Sequence, residues 1–586
     1  MIVSERIKFF LVLSVILIYP SIWFWQGLDF VDYGYWLTAY QQFFMSPMSY
    51  FMPTWGTVFI GHYWANLLNV DSLIVYKIGF ALVNILMALI SYLTLKPVFP
   101  KNKIVLFFMV LVAYLFIYKK HGIISYNNLS ALFYLLGGSL IFWSLNTKNI
   151  SLIFIAGAVL SFNLFIRIPN VLGILLISAI WLLGFLEKWP FKKISIFSAI
   201  FLCGYVFTII IIFYLLQQLG QLQLYIGGVS DLFISASDSE HHHSFVSLLL
   251  ILLRDYSLSL FSAGFCILAS VFVAKKLNHF SASWQWISLI AIAVAIIPIL
   301  NFNHIGDWLF PGFIYIVLGI SFFFNFKSDI RQINLIYITV AILALVPLGS
   351  DGGMWNAHNG MWLALPMMLM TVYGLKGISW KSYHVSAQEK TLIFRGLIVV
   401  ILIYSIVAAF TAAYHDNSNR LIMTHEVNHP SLTNVYTTKD RAKVVQELLY
   451  EISLYVKPGD YLLAYNKIPM VHYLTQTKPW LDNPWPLNYP IDRLKFLINE
   501  RILEDKKLPL VVRAKGDTSD KNWPANSDEP IIDNVTAPFE SRKYMAKFCT
   551  EYGYEVIWGN KFFEILSSDI EIQQKTKSTI EGASIH

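Results

Sequence analysis

Two aspartates, Asp29 and Asp32, directly follow the first hydrophobic segment, within Gln26-Gly-Leu-Asp-Phe-Val-Asp-Tyr-Gly-Tyr-Trp36. No lysine or arginine follows them until Lys77. A carboxylate next to a membrane exit is costly to keep near lipid, so such groups are functional by default. Side chains three residues apart share one face of a helix. The pair could therefore supply a general base or ligands for a divalent cation.

Each aspartate also has a structural explanation. Asp29 could cap the short helix predicted to begin near Val31. Asp32 lies inside that amphipathic, aromatic stretch, so capping explains it less well. We therefore expect Asp32, ahead of Asp29, to be the catalytic group. If the pair binds a metal, only His62 in the rest of the first loop could complete the site.

The composition places the chain in a lipid bilayer. Of its 586 residues, 56% are hydrophobic and only 13% are charged, whereas soluble domains carry about 25% charged residues. The net charge of +7 requires no nucleic-acid partner, because much of the basic excess lies in short loops. Cys203, Cys266 and Cys549 cannot form a disulfide framework. The first apolar run, Ile7 to Trp25, is interpreted as a retained anchor rather than a cleaved signal.

Thirteen predominantly apolar segments are interpreted as membrane-spanning helices, each of which needs about 20 residues. They cover residues 7–25, 72–95, 104–118, 124–145, 150–166, 168–186, 194–217, 245–273, 284–302, 308–325, 333–348, 359–375 and 392–413. The chain is therefore predicted to be an α-helical polytopic membrane protein.

The basic residues of the connecting segments predict the orientation. With the N-terminus in the cytoplasm, only Lys119, Lys120, Arg167 and Arg254 fall on the outer side, and the other loop cations fall on the inner side. This asymmetry agrees with the positive-inside rule. Because the number of spans is odd, the region after the last one faces outward. The cysteine usage and the absence of a retrieval signal favour the bacterial inner membrane, with a periplasmic C-terminal domain.

The hydrophobic signal ends near Tyr414, and the sequence beyond it is typical of a soluble domain. We predict a membrane domain over 1–414, a small α/β periplasmic domain over 415–566 and a disordered tail over 567–586. The expected elements of the outer domain are helices Asp440–Val456 and Ser541–Tyr552, and strands Asp460–Asn466, Leu508–Arg513, Tyr554–Trp558 and Lys561–Leu566.

Ionisable side chains are predicted to gather at the outer ends of the spans, whereas the middles of the spans carry essentially no charge. An ion-coupled transporter would need acids, bases or broken helices near the midplane. We instead expect a polar, partly water-filled cavity at the outer leaflet. The residues in this group are Asp29, Asp32, His62, Lys119, Lys120, His121, Arg167, Arg254, Asp255, His304, Asp307, Asp351 and His358.

The four outer cations, as a set, indicate a bound anion. Arginine suits bidentate recognition of phosphate, and lysine neutralises it as a point charge. Arg167 precedes Ile168-Pro-Asn170, a sequence that turns the chain and would fix the guanidinium at the membrane face. The alternatives are that these side chains reach lipid phosphates from the interface, and that Arg254 pairs with Asp255.

Three other outer segments have weaker signals. Gly349-Ser-Asp-Gly-Gly353 could approach a ligand closely or could only join two spans. His241-His-His243 resembles a metal-binding tract, although one short run is weak support. The segment from Gln217 to Ser244 is interpreted as an outer loop that lies on the membrane as a lid.

The layout resembles the GT-C superfamily of polyprenyl-phosphate-dependent glycosyltransferases, which includes aminoarabinose transferases and protein O-mannosyltransferases. The resemblance covers about residues 1–415 and rests on the order and sidedness of short motifs. These are Asp32-Tyr-Gly-Tyr35, Thr54-Trp-Gly-Thr57, Gly61-His62, Arg167-Ile-Pro-Asn170 and Gly349-Ser-Asp-Gly-Gly353. The outer domain is similar to small α/β caps of some bacterial members.

The resemblance implies an inverting enzyme that moves a sugar from a polyprenyl-phosphate carrier to an acceptor hydroxyl on a glycolipid, glycan or protein. Asp32, or Asp29, would be the base, and cations would stabilise the departing phosphate. No cofactor would be required, although the two aspartates could hold Mg²⁺ or Mn²⁺. The implied phosphate ligands are Arg167, Arg254, Lys119 and Lys120, and the implied substrate-binding residues are His62, His121, Tyr35, Asp351 and His358.

Two other functions compete with this interpretation. An O-antigen polymerase or ligase is also multi-span and faces outward, but it relies on large arginine-containing outer loops. A flippase or transporter of lipid-linked sugars would move its substrate without forming a covalent product. Neither alternative calls for an aspartate directly after the first span.

Overall fold

The computed structural model describes residues 5–68, 70–118, 122–237, 245–301, 305–325, 329–348, 353–375, 378–380, 383–411, 413–504, 507–525 and 539–569. Helices dominate the first part of the chain. They are α1 (Glu5–Ile18), α2 (Asp32–Gln42), α3 (Trp55–Leu68), α4 (Leu73–Leu95), α5 (Lys103–Ile117), α6 (Tyr126–Thr147), α7 (Ile150–Ile166), α8 (Ser178–Leu186), α9 (Phe191–Gln218), α10 (Leu222–Ser237), α11 (Phe245–Leu277), α12 (Ala282–Asn301), α13 (Ile305–Asn325), α14 (Ile330–Leu345), α15 (Met361–Gly374) and α16 (Ala387–Thr411).

Eight helical stretches among the described residues are long and apolar enough to cross a membrane. They include α4, α6, α9 and α16, and the shorter helices α5, α7 and α14 are also apolar. The prediction of a helical, multi-pass membrane protein is confirmed. Each of the thirteen predicted segments overlaps a helix, but α1 and α15 have only 14 residues each. The count of thirteen spans is not confirmed, and the orientation stays a prediction.

A smaller domain with a β-sheet follows α16. Its helices are α17 (Lys439–Ile452), α18 (Met470–Thr475), α19 (Ile491–Leu503) and α20 (Phe539–Glu551). In chain order, the strands among the described residues are β1 (Ile378–Trp380), β2 (Tyr383–Val385), β3 (His425–Glu426), β4 (Tyr436–Thr437), β5 (Tyr461–Tyr465), β6 (Lys478–Pro479), β7 (Leu510–Ala514), β8 (Glu555–Gly559) and β9 (Phe563–Ser567).

The main sheet of this domain has the strand order β6-β5-β7-β9-β8. Strands β6, β5 and β7 are parallel, whereas β9 is antiparallel to β7 and β8 is antiparallel to β9. The prediction of a small C-terminal α/β domain is confirmed. The proposed boundaries at 414 and 566 stay predictions, and residues 570–586 of the proposed tail lie outside the described residues.

The loop between α1 and α2 packs against the C-terminal domain and forms backbone hydrogen bonds with it. The amide of Gly27 donates to the carbonyl of Tyr436 at 2.9 Å, and the amide of Met470 donates to the carbonyl of Phe30 at 3.1 Å. The Phe30 ring packs against Trp523. One continuous hydrophobic core therefore contains both first-loop residues and residues of the distant domain.

Candidate active site

Asp29 is fully buried, and its carboxylate organises the start of α2. Its two oxygens accept the backbone N–H groups of Val31 and Tyr33, each at 2.8 Å. Val31 directly precedes α2 and Tyr33 lies in its first turn, so neither amide has an intrahelical acceptor. The predicted capping role of Asp29 therefore has a geometric basis.

Asp32 is the first residue of α2 and is only partly buried. The hydroxyl of Tyr414 donates a hydrogen bond to its Oδ2. The Tyr414 ring stacks on Tyr33 with centroids 5.9 Å apart. A carboxylate that is partly exposed and accepts a hydrogen bond from a hydroxyl can still accept a proton from a bound molecule.

His415 joins the two carboxylates. Its Nδ1 lies 3.1 Å from Oδ1 of Asp29. Burial lowers the pKa of His415, but the negative charges of Asp29 and Asp32 and the hydrogen bond to Asp29 outweigh that effect, so the pKa lies above its usual value. The shift makes the proton on the His415 ring harder to remove, and a metal ion would have to displace that proton before the ring could coordinate it.

Asp29, Asp32 and His415 together could hold a metal ion, because one ligand atom from each lies within 4.8 Å of the others. The sequence pointed to His62 as the third ligand, whereas His415 holds that place in the structure. A mixed oxygen and nitrogen set suits Mn²⁺ or Zn²⁺ better than Mg²⁺, which prefers oxygen ligands.

Lys77 is a buried cation next to this site, and only 1% of it is exposed. Its Nζ donates to the carbonyls of Gln26 and Gly27 at 2.9 and 2.5 Å. It also lies 5.7 Å from the centroid of the Tyr33 ring. In the sequence, Lys77 stood out only as the first lysine or arginine after the two aspartates. A lysine in the first turns of an apolar helix was the signal that could have found it.

Asp416 and Arg441 form an ion pair in which both side chains are fully buried. Asp416 also accepts the backbone N–H of Leu28 at 2.7 Å. Arg441 donates to the carbonyls of Trp523 and Lys521, each at 2.8 Å. Sequence reasoning missed the run Tyr414-His-Asp416. The available signal was three polar residues next to one another directly after the last apolar segment.

Arg167 lies at the end of α7, in a turn fixed by buried polar groups. The side-chain amide of Asn170 donates to Asn163 Oδ1 at 3.0 Å and to Ser130 Oγ at 2.7 Å. The Arg167 guanidinium lies 5.2 Å from the centroid of the Tyr126 ring. The Tyr126 ring in turn packs against the Trp36 ring, with centroids 5.3 Å apart.

That contact relates Arg167 to the acidic residues. Trp36 follows Asp32 by four positions on α2, so the two side chains share one face of the helix. Tyr126 packs against this face, and Arg167 packs against Tyr126. Two aromatic contacts thus connect Arg167 to the helix that begins at Asp32, and its role as a phosphate ligand stays a prediction.

Arg254 belongs to a different polar cluster. Its guanidinium pairs with Asp255 at 2.9 Å, and 67% of its side chain is exposed. Asp255 also accepts the backbone N–H of Met354 at 3.3 Å. Nearby in sequence, Nδ1 of His358 contacts the carbonyl of Trp355 at 2.7 Å. The ion pair considered for Arg254 is present, and its role toward phosphate stays a prediction.

His62 and Tyr35 hold the first outer loop together. The two ring nitrogens of His62 lie 2.7 Å from the Tyr40 carbonyl and 2.7 Å from Asn66 Nδ2. Tyr35 packs against Phe51 with centroids 4.3 Å apart. These contacts give both side chains a structural function, and their substrate-binding roles stay predictions.

Several predicted residues lie outside the described part of the chain. They are Lys119, Lys120, His121, His241, His242, His243, His304 and Asp351. Of the proposed lid over 217–244, the structure describes α10, and residues 238–244 lie outside the described ranges.

No protein-family model matches this sequence, and neither does a curated protein sequence. Solved structures show some similarity. One is the oligosaccharyltransferase AglB from Archaeoglobus fulgidus in complex with an inhibitory peptide and a dolichol-phosphate, at 10% identity and a TM-score of 0.47, over 87% of this chain and 69% of that one. The same archaeal enzyme in complex with zinc and sulfate gives 11% identity and a TM-score of 0.43, over 83% of this chain and 64% of that one.

A third similar structure is ArnT from Cupriavidus metallidurans bound to undecaprenyl phosphate. It gives 12% identity and a TM-score of 0.38, over 97% of this chain and 98% of that one. This chain thus spans less than two thirds of the archaeal chain with zinc and nearly all of the bacterial one. Similarity of this size assigns neither a family nor a substrate, so a function has to be argued from the chain's own residues.

Proposed function

We propose that this chain is an integral-membrane, inverting glycosyltransferase that moves a sugar from a polyprenyl-phosphate carrier to an acceptor hydroxyl. The observation that carries the proposal is the partly accessible carboxylate of Asp32, held by Tyr414 beside the buried pair of Asp29 and His415. The site sits where the membrane domain meets the C-terminal domain. A lipid-anchored donor could reach it from the bilayer, and a polar acceptor could reach it from outside.

The reaction needs one base and stabilisation of one anion. Asp32 takes the proton of the acceptor hydroxyl as the oxygen attacks the anomeric carbon of the sugar. The bond between that carbon and the phosphate oxygen breaks, and its electron pair leaves with the lipid phosphate. Attack from the face opposite the phosphate inverts the anomeric centre.

Positive charge stabilises the phosphate as it leaves. Of the two predicted phosphate ligands that the structure describes, Arg167 is connected to α2 through Tyr126 and Trp36, whereas Arg254 belongs to a separate cluster. A lipid phosphate leaves as a stable anion, so a general acid is not needed. A divalent ion held by Asp29, Asp32 and His415 would add positive charge there, although the chemistry does not require one.

Replacement of Asp32 by asparagine tests the base assignment. In proteoliposomes with a labelled polyprenyl-phosphate sugar and a mixture of acceptor glycolipids, Asp32→Asn should lower product formation by about 10²- to 10⁴-fold, the usual contribution of a general base. Asp71→Asn is the matched control, since Asp71 is another outer-loop carboxylate and contacts Gln41 and Tyr473 rather than the site.

Two results would contradict the proposal. One is transfer by Asp32→Asn at a rate close to that of the wild type. The other is movement of the labelled lipid across the bilayer by the wild type with no new glycosidic bond, which would indicate a transporter. Gel filtration in detergent verifies that each variant remains folded.

A further inference from the structure

The segment that joins α16 to the C-terminal domain contacts the first outer loop with three consecutive residues. Tyr414 donates to Asp32, and His415 lies 3.1 Å from Asp29. Asp416 accepts the backbone N–H of Leu28 at 2.7 Å. Both carboxylates of the site and the backbone that precedes them are therefore held by one short stretch of chain. The partners are separated by more than 380 residues in sequence.

The C-terminal domain fixes the position of this segment. The hydroxyl of Thr437 donates to Asp416 Oδ2 at 2.9 Å, and Arg441 pairs with the same carboxylate. The Arg441 guanidinium also lies 4.5 Å from the centroid of the Trp523 ring. A buried ion pair whose remaining donors and acceptors are satisfied has one preferred geometry. The ion pair therefore also restricts the positions of Tyr414 and His415, which directly precede Asp416 in sequence.

The Tyr414 ring is held on two sides. It stacks on His415 with centroids 4.2 Å apart and on Tyr33 with centroids 5.9 Å apart. The hydroxyl therefore reaches Asp32 from a fixed direction. A hydrogen bond to one carboxylate oxygen restricts rotation of the carboxylate and sets the direction in which the rest of the group points.

We propose that Tyr414 is a positioning residue for Asp32, and that the C-terminal domain is thereby a working part of the active site. This inference rests on the proposed function, because it assigns Tyr414 to the base of that reaction. Tyr414 itself transfers no proton and touches no substrate. It holds the carboxylate where the acceptor hydroxyl meets it.

Tyr414→Phe removes the hydroxyl and keeps the ring. We expect kcat to fall by about 10- to 100-fold, the effect of losing one hydrogen bond to a charged group. The KM for the labelled donor should stay within twofold of the wild-type value, because donor binding uses other groups. Tyr436→Phe is the matched control, since Tyr436 lies at the same joint and contacts the first loop through its backbone.

A double-mutant cycle separates this inference from the proposed function. Once Asp32 is asparagine, there is no base to position, so adding Tyr414→Phe should change the residual rate by less than twofold. If Asp32→Asn is active, the proposed function fails. If Asp32→Asn is inactive but Tyr414→Phe has the wild-type kcat, only the positioning role fails.

Unfolding of Tyr414→Phe would obscure its kinetics, so the thermal midpoint of each variant is measured in parallel. Tyr414→Trp then serves as a second variant, because an indole N–H can donate in place of the hydroxyl. Partial recovery of kcat in Tyr414→Trp over Tyr414→Phe is expected. If Tyr414→Phe and Tyr414→Trp are both folded and both have a kcat close to the wild-type value, the inference is wrong.

Discussion

Asp29 and Asp32 differ in what occupies their oxygens. Asp29 is fully buried and accepts two backbone N–H groups of the first turn of α2. Asp32 is partly exposed and bonds to a tyrosine hydroxyl. Asp29 therefore stabilises the start of α2, whereas Asp32 is the proposed general base. The two residues are only three positions apart in sequence, so their different roles depend on the contacts that each carboxylate makes.

At this scale, Asp29→Asn should act mainly on stability. An asparagine side chain has one acceptor oxygen, so the amides of Val31 and Tyr33 cannot both keep their partner. We expect a loss of about 1 kcal/mol in the free energy of unfolding, comparable to the loss of a helix cap. Thermal or denaturant unfolding in detergent measures this effect. A variant as stable as the wild type would contradict the capping role.

At the scale of elements, the contact between α2 and α18 connects the membrane domain to the C-terminal domain. A Cβ atom added to Gly34 would lie 2.0 Å from the backbone nitrogen of Met470 and 2.3 Å from its Cα. Backbone atoms cannot move aside as a flexible side chain can. Gly34 therefore allows the two helices to approach at the place where the active site is assembled.

Gly34→Ala should separate these helices. We expect a loss of 1 to 3 kcal/mol or more, typical of overpacking by about one methyl group, together with a large drop in glycosyl transfer. Gly264→Ala is the control, because Gly264 lies in α11 and no atom would come within 4 Å of its added Cβ. Alanine in that helix should be neutral or slightly stabilising. Similar behaviour of the two variants in unfolding and transfer assays would contradict this role of Gly34.

At the scale of the whole molecule, the C-terminal domain and the first outer loop share one hydrophobic core. Buried polar groups in that core therefore affect the stability of the site itself. His472 in α18 is an example, since it is almost fully buried and its Nδ1 lies 3.1 Å from Thr477 Oγ1. Burial lowers the pKa of His472 to about 3.

This shift predicts that His472 makes a destabilising contribution in mild acid. The unfolded chain binds a proton at His472 near pH 6.5, whereas the folded chain does not until about pH 3. The unfolded state thus binds more protons, and stability falls as the pH drops below about 6.5. Between pH 7.5 and 5.5 the wild type should lose on the order of 1 kcal/mol more than His472→Gln. Unfolding of the two proteins at both pH values measures the difference, and parallel losses would contradict the prediction.

Local patterns carried most of what the sequence could predict. Apolar length located the helices, and alternation located β5, β7, β8 and β9 in the C-terminal domain, because both signals depend on neighbours in sequence. Asp29 and Asp32 stood out because charge beside a membrane exit is costly.

The sequence could not supply the partners of these aspartates. Asp29 meets His415 across 386 positions, and Asp32 meets Tyr414 across 382. No local period encodes such contacts, and the predicted domain boundary between Tyr414 and His415 falls within the segment that contacts both aspartates. His62 was considered as a third metal ligand because it lies in the first loop, whereas His415, which lies close to both aspartates, is far from them in sequence.

The long separation between Asp32 and Tyr414 in sequence also determines when the two residues can meet during synthesis of the chain. At about 5–20 residues per second, a ribosome needs roughly 20–75 s to add the 382 positions that separate them. During that interval the nascent chain has inserted most of its helices and presents two carboxylates without the tyrosine and the histidine that will hold them. Under the proposed function, the general base therefore gains its tyrosine partner only after Tyr414 has been made and the segment around it has packed against the first outer loop.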